Sequence, residues 1–66
     1  MSDADALKAE VKKLSARAMK LKMDLHDLSE ELPINWQTIP DVSKAAFDAF
    51  AELEDKRAEL KKAQAG

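Results

Sequence analysis

The residues that could carry out chemistry in this chain are few and poorly placed for catalysis. The 66 residues include one histidine and no cysteine. His26 lies one helical turn before Glu30, a spacing that places the imidazole and the carboxylate on the same face of a helix. A stable zinc site needs three or four such ligands. We therefore expect His26 and Glu30 to form an ordinary surface pair, with no metal bound.

Other signatures of enzymes are missing as well. Three serines, at Ser15, Ser29 and Ser43, fall within helical patterns and have no evident base beside them. The single glycine stands at position 66, so a glycine-rich phosphate loop cannot form. The sequence therefore indicates a protein without catalytic activity and without a cofactor.

Several unusual side chains near the middle of the chain suggest a surface for a partner. Met19 and Met23 fall opposite the leucine stripe described below, and exposed methionine is favoured at adaptable binding surfaces, although they could also be scattered surface residues. Carboxylates crowd residues 24–31, where the negative end of a helix dipole disfavours them. A cation from outside is expected there, either lysines of a partner subunit or a basic patch on another protein. The predicted partner-binding residues are Met19, Lys22, Met23, His26, Asp27, Glu30 and Trp36.

Trp36 lies between Ile34 and Ile39 in the segment that must connect two helices. A tryptophan there can close the open end of a helical bundle, which is the role we expect. It can also serve as an interface anchor, since tryptophan is enriched among the residues that dominate binding energy.

The elements that position these residues are two amphipathic helices. Apolar residues from Ala4 to Leu32 recur at spacings of three and four, and we call this stripe and its counterpart on the second helix the leucine seam. Ser2 can cap the first helix, and Pro33 ends it because proline disfavours helical geometry at the residue before it. Either Asp41 or Ser43 can cap the second helix. The sequence predicts helices at about 3–31 and 41–64, with a loop at about 32–40.

The short connection requires the helices to fold back on each other, giving an all-α antiparallel hairpin that forms one domain over residues 1–66. Two helices cannot enclose both sides of the leucine seam, so we expect two hairpins to associate as a homodimer with four helices. Lys56 interrupts the seam. The predicted core and dimer positions are Leu7, Val11, Leu14, Leu21, Leu25, Leu28, Phe50, Leu53 and Leu60.

Charge is distributed unevenly along the predicted hairpin. The net charge is −5 over residues 24–48, +3 over residues 1–23 and zero over residues 49–66. An antiparallel dimer sets each acidic end beside a basic end, which electrostatics favours modestly. The overall charge of −2 and the absence of aromatic residues from the first helix argue against nucleic-acid binding.

No run of 18 or more apolar residues is present, so no membrane-spanning helix is expected. The N-terminal segment MSDADALKAE is acidic where a signal peptide would be basic and then apolar. We therefore expect a cytoplasmic protein.

Two segments carry a resemblance to a known family. KKLSARAMKLKMDLHDLSEELP, residues 12–33, and AAFDAFAEL, residues 45–53, resemble the small Rop-like proteins whose genes accompany nitrogen-fixation genes. The run KMDLHDL, residues 22–28, is more specific than a heptad pattern. The resemblance implies a hairpin that dimerises into a Rop-like four-helix bundle. It also implies a non-enzymatic accessory protein that binds the molybdenum-iron component of nitrogenase during maturation or repair, with KMDLHDL as a functional surface.

A second hypothesis from another class remains open. The basic residues of the first helix form two stripes, which an RNA-binding bundle in the manner of the Rop protein proper could use across its dimer. One stripe contains Lys13, Arg17 and Lys20, and the other contains Lys8, Lys12 and Lys22. Such stripes more often form a solvated face that carries ion pairs.

Overall fold

The chain forms two long helices joined by one tight turn. The structure is a computed structural model that describes residues 3–65, with side chains described for residues 3–64. Helix α1 spans Asp3–Glu31 and helix α2 spans Ile39–Ala65, with a 3₁₀ turn at Trp36–Thr38 between them. The molecule measures 49 × 14 × 13 Å, which fits two helices lying side by side. Residues 3–65 contain no strand, and the predicted all-α helical hairpin is confirmed.

Helix α1 follows the heptad pattern from its first turn to the proline that stops it. Asp3 and Asp5 lie in the first turn, where the positive end of the helix dipole favours carboxylates. The N–H of Leu32 donates to the carbonyl oxygen of Leu28 at 3.1 Å, which closes the last turn just before Pro33. Ser2, the predicted cap, lies outside the described residues.

The start of α2 differs from the prediction. The helix begins at Ile39 rather than at 41, because proline fits well in a first turn, where its missing N–H would have no partner. Asp41 therefore lies inside the first turn and does not cap it. The hydroxyl of Ser43 donates back to the carbonyl oxygen of Pro40 at 3.2 Å, so Ser43 is not the cap either.

The turn between the helices is held by its own backbone. Asn35 adopts a left-handed conformation with φ of 62°, which asparagine tolerates better than most residues. The N–H groups of Ile34, Trp36 and Thr38 each donate to the carbonyl oxygen three residues earlier, at 2.9 to 3.3 Å. This compact turn reverses the chain and sets α2 antiparallel to α1.

The two helices approach each other through small residues. Ala18 is completely buried and lies in one cluster with Ala49 and Leu53, while Ala46 and Leu28 are buried as well. Alanine at these positions lets the helix axes come close. Val11, Leu14 and Leu21 pack against the cluster and remain half-buried. The core therefore runs along the middle of the hairpin and is thin.

Two of the predicted core positions are not covered within one hairpin. Leu25 is 37% exposed and Phe50 is 40% exposed. Leu7 and Leu60 are half-buried. The cause is geometric, because one facing helix covers only one side of a two-residue-wide apolar stripe. The leucine seam is thus complete in sequence but only partly enclosed in the single chain.

Lys56, which interrupts the seam, joins the two helices. Its Nζ lies 3.3 Å from Glu10 Oε2 on α1 and 3.4 Å from Glu59 Oε2 on its own helix. A hydrogen bond and the charge attraction from Glu10, together with the smaller influence of Glu59, raise the pKa of Lys56 above its usual range. The long aliphatic stem lets the ammonium group leave the seam while the methylene groups stay in it.

Candidate protein-binding surface

Large apolar side chains exposed to solvent are confined to one half of the hairpin. We call residues 19–50 the loop half, and residues 3–18 together with 51–65 the open half. The exposed large apolar residues are Met19, Met23, Leu25, Leu32, Ile34, Trp36, Ile39, Phe47 and Phe50. All of them belong to the loop half, and the described part of the open half has none. A concentration of this kind marks a candidate interaction surface.

The outward face of α1 carries the predicted methionine stripe. Met19 and Met23 are each 52% exposed. Met19, Met23, His26 and Glu30 follow one another at spacings of four, three and four residues, which places all four on one side of the helix. The predicted partner-binding residues Lys22 and Asp27 are exposed on the two flanks of this stripe. These residues of α1 therefore lie together on a continuous surface.

His26 and Glu30 form the surface pair that their spacing indicated. His26 Nε2 lies 3.0 Å from Glu30 Oε1, and the side chains are 58% and 70% exposed. The carbonyl oxygen of His26 accepts a hydrogen bond of 2.6 Å from the Ser29 hydroxyl. Over residues 3–65, no group of three or more histidine and carboxylate side chains is arranged to hold a metal ion. The pair thus exposes polar groups to solvent, and two ligands are fewer than the three or four that a stable zinc site needs.

The carboxylates at the end of α1 have few cations near them. No basic residue lies in the last turn of the helix. Asp24, Asp27 and Glu31 are exposed, and no ion pair reaches them within the described chain. Negative charge at the negative end of the helix dipole is unfavourable without a counter-charge. The hairpin therefore leaves this acidic cluster available to a cation from another molecule.

Trp36 is exposed in the single hairpin, and its predicted role in closing the end of a four-helix bundle stays a prediction because it involves a second hairpin. Its side chain is 58% exposed, and Ile34 beside it is 66% exposed. The end of a four-helix bundle is enclosed by helices of two hairpins, and one hairpin supplies only two of them. Within the single hairpin Trp36 adds an exposed aromatic group to the loop half.

Sequence reasoning missed one exposed aromatic residue. Phe47 is 72% exposed, the largest exposed fraction among the large apolar residues that the structure describes. Together with Phe50, Ala51, Glu54 and Asp55 it lines a groove along α2. The signal was present in the helical spacing, since Phe47 follows buried Ala46 directly and so falls outside the leucine seam.

Comparison with known proteins places the chain in a family. The Rop-like family model matches residues 2–65. A UPF0437 protein of Azorhizobium caulinodans is 54% identical over 66 residues, covering 100% of this chain and 96% of that protein. A UPF0437 protein of Sinorhizobium fredii is 47% identical over 60 residues, covering 91% of this chain and 90% of that protein.

A third relative is described by its gene position. The Frankia alni UPF0437 protein in the nifX-nifW intergenic region is 47% identical over 51 residues, which is 77% of this chain and 62% of that protein. No solved structure gives a significant match. Among the described residues, neither helix has the length and apolar character needed to cross a membrane. The chain belongs to the Rop-like family, in the small nitrogen-fixation-associated group that its sequence resembles.

Proposed function

We propose that this chain is a non-enzymatic, cytoplasmic accessory protein of nitrogen fixation that binds the molybdenum-iron component of nitrogenase during maturation or repair. The observation that carries the proposal is the confinement of the exposed large apolar side chains to the loop half. The KMDLHDL segment, on which the resemblance rests, lies within the same half. The nifX-nifW intergenic position of the Frankia alni relative supports the nitrogen-fixation context.

The loop half has the composition of a protein-binding surface. Met19, Met23 and Trp36 supply an apolar centre, and methionine can adjust its shape to a partner because it is unbranched and flexible. Asp27 and Glu30 supply a charged rim. Interfaces commonly combine an apolar middle with a polar rim, and rim charges mainly raise the rate of encounter. The partner surface should therefore be apolar at its centre and basic at its edge.

We further propose that the free protein is an antiparallel homodimer in which two hairpins share the leucine seam as a four-helix bundle. Among the residues whose side chains are described, only five apolar ones are buried, and three of them are alanines. A chain of this size is marginally stable on its own, so burial of the exposed part of the seam by a second copy would stabilise it. The acidic loop end of one hairpin would lie beside the basic end of the other. A folded monomer at micromolar concentration in analytical ultracentrifugation would contradict this arrangement.

The binding proposal is tested by a charge placed in the centre of the surface. We expect Met23→Asp to abolish association with the purified molybdenum-iron protein in biolayer interferometry, because a carboxylate would be buried without a partner. Ala58→Asp is the matched control, since it puts the same group on an exposed position of α2 in the open half. Circular dichroism must show equal helicity for both variants. Wild-type affinity of Met23→Asp would place the contact elsewhere.

The rim is tested separately. We expect Asp27→Lys to lower the association rate mainly, with a smaller change in dissociation, and we expect raised salt to slow wild-type association in the same way. If Asp27→Lys associates as fast as wild type at low salt, the acidic rim does not contribute to the rate of binding.

The RNA-binding alternative draws on the exposed lysines of α1. Lys8, Lys12, Lys13 and Lys20 are all exposed, yet α1 has no aromatic residue to stack on a base. A pull-down from nitrogen-fixing extract separates the hypotheses. We expect the molybdenum-iron protein in the bound fraction. Bound RNA without that protein would favour the alternative.

A further inference from the structure

Within residues 3–64, Phe47 is the most exposed large apolar residue, and neither the proposed homodimer nor the methionine stripe accounts for it. Ala46 and Ala49 mark the buried side of α2 at this level, and Phe47 points away from both according to helical spacing. A second hairpin packed on the leucine seam would therefore leave the Phe47 ring in water. Only a contact other than the proposed homodimer would cover the Phe47 ring.

The ring is part of a groove with a defined charge. Phe47, Phe50, Ala51, Glu54 and Asp55 line a groove of about 380 Å³ on the outside of α2, which we call the aromatic groove. The rings and the alanine form its apolar part, and the two carboxylates lie one turn further along the helix. Among the described residues, no ion pair or hydrogen bond engages either carboxylate. The groove thus fits a surface that is apolar beside a positive charge.

The same chain carries a surface of that kind on α1. Ala9, Glu10, Lys12, Lys13 and Ala16 line a shallow depression of about 470 Å³, which we call the alanine depression. Its exposed lining is mostly apolar, since two alanines and the aliphatic stems of two lysines contribute to it. Neither lysine has an ion pair among the described residues, and Glu10 is engaged by Lys56. Small side chains at its floor allow another helix to approach closely.

We propose that the aromatic groove of one molecule docks on the alanine depression of a second copy of this chain. The projecting Phe47 and Phe50 rings cover the alanines, and the free carboxylates of the groove face the free lysines of the depression. Both surfaces run along a helix with the spacings of one helical face, so two helices can cross there. The groove and the depression belong to the same sequence and are complementary in charge and shape. We therefore assign a second copy of this chain, and not another protein, to the groove.

The contact joins two different surfaces, and this determines the assembly. Each molecule that docks by its groove keeps a free depression, and its neighbour keeps a free groove. Such a head-to-tail contact continues to grow unless the geometry closes it into a ring. The contact centres on Phe47 and the alanine depression, which lie outside the leucine seam and the methionine stripe, and only Phe50 also belongs to the edge of the seam. The variants at Phe47 and Ala16 therefore leave both the seam and the stripe unchanged. The small apolar area makes the contact weak, and its ion pairs make it sensitive to salt.

Sedimentation velocity over micromolar to millimolar protein at low salt tests the proposal. We expect the average mass of the wild type to keep rising with concentration beyond the smallest species, and to fall back to that species at high salt. Phe47→Ser removes the projecting ring, and Ala16→Gln fills the depression without changing its charge. We expect each variant alone to lose the concentration-dependent growth. Ala58→Gln makes the same substitution elsewhere on an exposed helix position and should behave as wild type.

Mixing the two variants distinguishes this contact from the other possibilities. Phe47→Ser keeps an intact depression and Ala16→Gln keeps an intact groove, so we expect the mixture to show association that neither variant shows alone. The mixture should stop at one heterotypic contact if the smallest species is a single hairpin, and should grow by alternation if that species is the homodimer, which carries two copies of the intact surface. If Ala16→Gln still grows while Phe47→Ser does not, the rings pack on each other between molecules and the proposal is wrong. Constant wild-type mass up to millimolar concentration would also overturn it, leaving the groove to a different protein.

Discussion

The two halves of the hairpin share one heptad pattern but differ in their exposed apolar side chains and in their charge. The open half has no exposed large apolar side chain among its described residues and has balanced charge, with eight cations against seven carboxylates. It also contains the ion pairs of Lys56, one of which joins the helices. The loop half exposes nine large apolar side chains and has six carboxylates against three cations. Buried residues lie in both halves, whereas the exposed large apolar residues lie in the loop half, so substitutions of buried and of exposed residues should affect stability and binding separately.

The largest expected effect is on stability and comes from the open half. Leu53 is 5% exposed and lies in the central cluster, so Leu53→Ala should lower the free energy of unfolding by about 2–5 kcal/mol. Met23→Ala in the loop half should change it by less than about 0.5 kcal/mol, because the side chain is largely in water. Urea denaturation followed by circular dichroism measures both. Equal losses of unfolding free energy in the two variants would contradict the proposed difference between the halves.

A second substitution asks how the exposed part of the leucine seam is covered. If the seam is shared in a homodimer, Leu25→Ala should cost about 2–5 kcal/mol, as at a buried site. In a lone hairpin it should cost less than about 2 kcal/mol, because the side chain is already 37% exposed. We expect the larger loss, together with an unfolding midpoint that rises with protein concentration. A small loss and a constant midpoint would argue for a stable single hairpin.

Most of the fold could be predicted from the sequence, but the start of α2 could not. The heptad spacing and Pro33 are enough to predict α1 and the hairpin, because apolar periodicity and a proline stop act locally. The start of α2 could not be placed by searching for a capping side chain, since the helix begins at Ile39 in continuation of the 3₁₀ turn. Whether Trp36 closes the end of a four-helix bundle depends on a second hairpin, which spacing within one chain does not position.

The surface was predicted less completely than the fold. Met19 and Met23 were found because methionine opposite a seam is unusual, whereas Phe47 was overlooked because its neighbours belong to the seam. Whether a side chain near the edge of the seam, such as Leu25, is covered depends on association between chains. The spacing of apolar residues within one chain does not determine whether two chains associate.

A smaller effect should appear at alkaline pH and should differ between the halves. The carboxylate of Glu10 raises the pKa of Lys56 in the folded state, and Asp48 raises the pKa of Lys44 in the same way within α2. A raised lysine pKa contributes stability that is complete below the unfolded value of 10.5 and is lost as pH rises through the folded pKa. Thermal melts should therefore show Glu10→Gln below wild type at pH 8, with the difference shrinking above pH 10.5.

Asp48→Asn is the matched control for this prediction, because it removes a pair that lies within one helix at 2.8 Å. Its effect at pH 8 should be smaller, since pairs one turn apart on an exposed helix contribute little. A larger effect for Asp48→Asn than for Glu10→Gln would contradict the role of Lys56 in joining the helices.

The smallest expected effect concerns metal. Addition of a chelator should leave the melting temperature and nitrogenase binding unchanged, because one imidazole and one carboxylate make an under-filled site. The His26→Ala variant should respond to the chelator no differently from wild type. A chelator-dependent fall in melting temperature that disappears in His26→Ala would make His26 a ligand and would change the account of the loop half.

The most direct test of the division between the halves is methyl cross-saturation from the molybdenum-iron protein. The hairpin is deuterated, labelled at the methyl groups of methionine and leucine, and mixed with the protonated nitrogenase component, which is then irradiated. We predict that the methyl signals of Met19 and Met23 lose intensity while Leu60, in the open half, keeps its intensity. Loss at Leu60 with full intensity at both methionines would contradict the central claim, as would unchanged signals throughout.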